Sequence, residues 1–165
     1  EKLKTASINT FHKIRTYIAD LRPMSLDELG LIPALRKYLT MLNEQTGVQS
    51  NLSISGNERK LEEFLEVFVF RSVQEIITES IKRNQDTSST LNFEIEIQFE
   101  TDQISYGIQD NGKNPITNIT DIEEGVGLMT IKQRAELLGG SFTLTPSGEG
   151  TQIKINVPLI ISAVN

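Results

Sequence analysis

At 165 residues the chain can bury one proper hydrophobic core but not two comfortable ones, and 38% hydrophobic, 23% charged and 6% aromatic residues describe an ordinary globular composition. A balance of 16 basic against 22 acidic residues, net −6, argues against nucleic acid as the main partner, because phosphate backbones are bound by basic surfaces. With no cysteine and a single histidine, His12, the sequence excludes disulfides, thiolate metal sites and His-rich metal clusters.

Residues 1–22 read as a helix, with Phe11, Ile14, Ile18 and Leu21 recurring at the spacing of one helical face. Pro23 ends it by pushing the preceding residue out of the helical region. Ser25-Leu26-Asp27-Glu28 has the form of a capping box opening a second amphipathic helix through Leu35, Tyr38, Leu39 and Leu42, with Gly47 as its C-cap. A strand follows around Leu52 and Ile54, then a turn at Gly56-Asn57. The longest helix is expected from about Leu61 to Arg83, with Leu61, Leu65, Phe68, Val73, Ile76, Ile77 and Ile81 in one wide apolar stripe. Residues 84–89 read as a polar loop.

Leu91, Phe93, Ile95, Ile97 and Phe99 alternate with polar residues, the clearest half-buried strand in the chain. Ile104, Tyr106 and Ile108 repeat the pattern and end at Asp110-Asn111-Gly112. Residues 113–124 read as a mobile loop, Leu128 to Leu138 as a helix stopped by Gly139-Gly140, and 141–145 and 151–157 as two closing strands around Gly148-Glu149-Gly150. Strands with one polar face predict an α+β fold, a two-layer sandwich with helices on one side of the sheet. The chain divides at Pro23 into a helical segment, 1–22, and a folded domain, 23–165. No apolar run approaches the length that crosses a bilayer, no signal peptide opens the chain, and the chain reads as a piece of a longer protein.

Three segments carry chemistry. Glu75, Glu79 and Lys82 lie at i, i+4 and i+7 and share one helix face; taken alone, such a stripe is usually solvated surface. Asp110-Asn111-Gly112 at a strand end is usually a turn, yet a carboxylate there can accept a hydrogen bond from the exocyclic amine of a buried base. Gly125-Val126-Gly127-Leu128 opens a helix, where bare backbone and free amide donors favour an anion such as phosphate. A lone Gly-x-Gly is non-specific; its place after a carboxylate-bearing turn raises its worth.

The order of these segments, completed by Leu138-Gly139-Gly140 and by Gly148-Glu149-Gly150-Thr151 before Pro158, resembles the GHKL (Bergerat) ATPase domain of sensor histidine kinases. Residues 20–31, reading Asp-Leu-Arg-Pro-Met-Ser-Leu-Asp-Glu-Leu-Gly-Leu, are similar to the junction between dimerisation helices and catalytic domain in the degradative-enzyme and nitrate-sensor subfamily. The resemblance implies a two-component histidine kinase that binds ATP and Mg2+, phosphorylates a histidine upstream of these residues and passes the phosphoryl group to a cognate response regulator. It also implies a homodimer built on a helical bundle, with residues 1–22 the end of its second helix, and a cytoplasmic setting. On this basis Glu75 is the catalytic residue and Glu79 the metal ligand. Asp110 and Thr151 belong to the adenine end, Gly125 and Gly127 to the phosphate side, Gly112 and Leu128 to the same cofactor-binding set, and Lys82 neutralises phosphate charge.

Four positions depart from the family pattern. Glu79 replaces an asparagine that holds Mg2+; glutamate is a hard oxygen ligand, but it brings negative charge toward a triphosphate. Arg83 replaces a histidine. Asn114, followed by Pro115, replaces a glycine, and asparagine tolerates the left-handed conformation such a turn uses. Thr130 adds a branched side chain after Gly127-Leu128-Met129. His12 lacks the acidic neighbour of a phosphoacceptor, Lys13 standing there instead. These departures keep a second reading open, a non-catalytic domain acting as dimeric scaffold or regulatory partner.

Overall fold

The computed structural model describes residues 23–86, 90–119, 126–148 and 150–159. The helix expected over residues 1–22, His12, Gly125 and the second half of the expected loop lie outside the described residues. In chain order the elements are α1 (Met24–Leu29), α2 (Leu31–Thr46), β1 (Gln49–Gly56), α3 (Glu63–Arg83), β2 (Asn92–Phe99), β3 (Gln103–Asp110), α4 (Val126–Leu137), β4 (Ser141–Ser147) and β5 (Gly150–Pro158).

One expected helix is two. Gly30 adopts φ +79 and breaks the run between α1 and α2, although Leu26, Leu31 and Leu35 on either side are all buried and keep an apolar spacing. The capping box does not form: Pro23 is the N-cap of α1, with no side-chain cap. Proline suits that end because a missing N–H costs nothing where the first amides have no helical partner. Gly47 caps α2 in the left-handed conformation, as its position predicted. Helix α3 carries Glu63 and Glu66 in its first turn and Lys82 and Arg83 in its last, matching the helix dipole at both ends.

The five strands form one sheet in the order β1-β2-β3-β5-β4. The β1–β2 pair is parallel, joined by the α3 crossover, and the other pairs are antiparallel. Burial alternates strictly along β2, where Phe93, Ile95, Ile97 and Phe99 face the helices and the residues between them face out. Ile104, Tyr106 and Ile108 on β3, and Ile153, Ile155 and Val157 on β5, continue the same inner face. Val73, Ile76 and Ile77 of α3 and Leu128, Ile131 and Ala135 of α4 belong to the same core. The two-layer α/β arrangement expected from the alternation is the one the chain adopts. Among the described residues no helix is long and apolar enough to cross a membrane.

Among the described residues, one core residue carries a buried polar side-chain atom without a partner. The Tyr106 hydroxyl is buried and makes no hydrogen bond. Ser72 of α3 faces it, but the Ser72 hydroxyl donates to the Phe68 carbonyl at 2.6 Å. Burial pushes the Tyr106 phenol far above its ordinary value, with Ser72 offsetting little. An unsatisfied buried polar group costs about 1–3 kcal/mol. Tyr106→Phe, which removes only that atom, is therefore expected to leave stability unchanged or raise it by about 1 kcal/mol in urea denaturation. A loss of similar size would show that the hydroxyl is bonded in solution.

Candidate functional site

The period that buries the isoleucines of β3 also aims Asp110. Ile104, Tyr106 and Ile108 face the helices, and two residues on Asp110 does the same at the strand end, only 6% exposed. On the neighbouring strand the alternation of Val157, Ile155 and Ile153 ends at Thr151, 3% exposed. The buried face of α3 runs through Val73, Ile76 and Ile77 to Ser80 and then Asn84. Three apolar stripes thus each close on a polar residue at one end of the domain.

These residues meet. Ser80 Oγ donates to Asp110 Oδ2 at 2.9 Å, while Asp110 Oδ1 accepts the Gly112 N–H at 2.8 Å and the Thr151 N–H at 3.3 Å. Thr151 Oγ1 accepts the Ile116 N–H at 2.8 Å. Gly150 has φ +130, and a Cβ on it would strike the Asp110 carbonyl oxygen. The close approach of β5 to the end of β3 therefore depends on glycine there. Asn111 faces the other way and ties the turn to the start of β2, donating to the Thr90 carbonyl at 3.2 Å and accepting the Asn92 N–H at 2.8 Å.

The loop after β3 is pinned over its first half. The Asn114 N–H donates to Asn84 Oδ1 at 3.0 Å, and Asn114 Nδ2 donates to the Arg83 carbonyl at 2.9 Å. The Arg83 guanidinium donates to the carbonyls of Asn114 at 3.5 Å and Pro115 at 3.2 Å. Ile116 is buried beneath it. Asn114 does this without the left-handed conformation, since no non-glycine residue among those described has positive φ. The expectation of a mobile loop from residue 113 is corrected for residues 114–116, which hydrogen bonds tie to α3 and β5.

The second cluster joins α3 to α4. Helix α4 begins at Val126, earlier than expected, so Gly127 lies within its first turn. A Cβ on Gly127 would collide with the Glu75 carboxylate and lie 2.6 Å from its Cδ, so the absence of a side chain lets Glu75 approach the helix backbone. Glu75 and Lys82 are exposed, Glu79 is half-buried, and Thr130 is half-buried on α4. Leu128 is 1% exposed and packs in the core, which anchors the first turn of α4.

The structure thus brings together Asp110, Gly112 and Thr151, and separately Glu75 with Gly127. Sequence reading had not singled out Ser80, Asn84 or Ile116. Ser80 and Asn84 carry a faint signal, being polar residues at i+4 and i+8 beyond Ile76 on an otherwise apolar stripe.

No protein-family model matches the chain. It is 33% identical over 149 residues to the signal transduction histidine-protein kinase/phosphatase DegS of Brevibacillus brevis, covering 89% of this chain and 37% of that protein. It is 36% identical over 146 residues to the protein of the same name from Bacillus subtilis (strain 168), covering 84% and 36%. The chain therefore spans little more than a third of the length of the curated relatives it matches. Among solved structures, the histidine kinase domain of the Erythrobacter litoralis EL346 blue-light activated histidine kinase superposes with a TM-score of 0.64 at 16% identity, over 81% of this chain and 68% of that one. That likeness speaks for the fold, and the DegS identity runs over most of the chain. On these grounds the chain is a homologue of part of the DegS-type histidine kinases, and its fold is that of a histidine kinase domain.

Proposed function

We propose that this domain binds ATP with Mg2+ and supplies the γ-phosphate to a histidine of the same protein, for onward transfer to an aspartate of a response regulator. The observation that carries the reading is the buried Asp110 carboxylate. An ionised carboxylate offers about four acceptor positions. Ser80, Gly112 and Thr151 donate to three. The fourth suits a donor such as the exocyclic amine of adenine. Thr151 supports that end by orienting Ile116 across it.

Glu79 fits the metal role as a single hard oxygen donor, since Mg2+ usually takes one or two protein carboxylates and completes its shell with phosphate oxygens and water. When bound, the metal would neutralise charge on the β- and γ-phosphates. Lys82, one turn further along α3, adds positive charge on the same side, and Gly125 and Gly127 are the glycines proposed to line the phosphate side. Glu75 lies against Gly127, and in this reading it is the carboxylate that accepts a proton from an attacking imidazole. The full protein would work as a homodimer in the cytoplasm, with the response regulator as its second partner.

Calorimetry with ATP, in Mg2+ and then in EDTA, tests the reading. Saturable binding that weakens at least about tenfold in EDTA is expected. Glu79→Ala removes both the proposed metal ligand and a like charge facing the triphosphate, of order 1 kcal/mol at a few ångströms in water, so it should tighten metal-free binding about fivefold and shrink the Mg2+ effect. An absence of binding at millimolar ATP would favour the scaffold reading, and an unchanged Mg2+ effect in Glu79→Ala would remove Glu79 from the metal site.

A further inference from the structure

We propose that Asn84 is a positioning residue for base selection, an inference that rests on the nucleotide reading above. Asn84 caps α3, its own N–H reaching the carbonyls of Ser80 and Ile81. Its side chain is 6% exposed and bonded at both ends. Nδ2 donates to the Ser80 carbonyl at 2.9 Å, and Oδ1 accepts the Asn114 N–H at 3.0 Å. A carboxamide so held cannot swing aside.

Gly112 lies directly on it. A Cβ at Gly112 would sit 2.7 Å from Asn84 Cγ and 2.8 Å from Oδ1. Gly112 is also the residue whose N–H holds Asp110 Oδ1. The carboxylate is thus fixed from α3 by two routes. Ser80 holds Oδ2 directly, and one turn later Asn84 sets the height of Gly112, which holds Oδ1. Arg83 and Asn114 reinforce the second route by lacing residues 114 and 115 to the last turn of the helix. With both oxygens fixed, the remaining acceptor direction is fixed as well, and a base must present a donor there. Asn84 touches neither base nor phosphate in this scheme. It acts through Gly112.

The test compares ATP with inosine triphosphate, which carries a keto oxygen where ATP has its amine. Calorimetry on the full chain should give wild type a preference for ATP of at least about tenfold, the worth of one hydrogen bond to a charged acceptor. In Asn84→Ala that preference should fall to within about threefold. A merely structural role would weaken both nucleotides alike and leave the ratio intact, and that result overturns the proposal. A wild type that binds ATP and inosine triphosphate equally also overturns it, while leaving nucleotide binding itself standing. A wild type that binds neither removes the nucleotide reading and this proposal together. Should Asn84→Ala fail to fold, amide hydrogen exchange on the unmodified protein decides. The Asn114 and Gly112 N–H groups should exchange at least about a hundredfold more slowly than free amides, and unprotected exchange at Asn114 overturns the clamp.

Discussion

Asp110→Asn is expected to lower ATP affinity by about 10- to 100-fold while the domain still folds. The carboxylate accepts from three buried donors, two on Oδ1 and one on Oδ2. An asparagine oxygen can replace Oδ1 and keep the Gly112 and Thr151 N–H bonds. Its amide then faces Ser80, whose hydroxyl can rotate from donor to acceptor. The fold therefore loses little, about 1–2 kcal/mol. The ligand position loses more, because an N–H now points where the base amine must donate. A hydrogen bond to a charged acceptor is worth about 1.5–3 kcal/mol, which gives the range stated. Titration with a fluorescent ATP analogue, paired with thermal melting, checks both halves. Undiminished affinity would take Asp110 out of the base site. Asp110→Ala is the poorer probe, since it strands three buried donors and confounds affinity with unfolding.

Gly150→Ala should destabilise the domain by about 3 kcal/mol or more and abolish nucleotide binding with it. Two penalties coincide. At φ +130 an L-residue is strained by about 1–3 kcal/mol. The new methyl would also strike the Asp110 carbonyl oxygen and lie 2.7 Å from its carbon, and backbone tied into two strands cannot yield as a side-chain tip can. Relief requires β5 to move off β3, which would carry the Thr151 N–H away from Asp110 Oδ1. For a domain of this size the loss corresponds to a fall in Tm of about 6–12 °C. Gly148→Ala is the control, because nothing lies within 4 Å of a Cβ there, and it should change neither Tm nor affinity. Equal effects at the two glycines would mean that the close approach at Gly150 does not exist in solution.

Much of this domain was determined by the amino-acid sequence alone. Period-two alternation in β2 and β3 needs only local geometry, so it named the strands and their buried faces, while the structure carries the same period two residues beyond Ile108 and turns Asp110 inward. The ordered motifs likewise named Thr151, Glu75 and Gly127 as a set. Gly30 was missed because buried leucines on both sides keep the apolar spacing, and a φ of +79 leaves no mark on that pattern. Tertiary structure alone decided who meets whom. Ser80 and Asp110 are 30 positions apart, as are Asn84 and Asn114, and their pairing depends on how α3 is rotated over the sheet. That rotation is set by the packing of Val73, Ile76 and Ile77 against strands drawn from the rest of the chain. Asn84, in a stretch that reads as a polar loop, became a buried clamp because the helix ends where β3 also ends. A sequence pattern records which side of an element is apolar, but the level at which two elements stop against each other is a property of the assembled core.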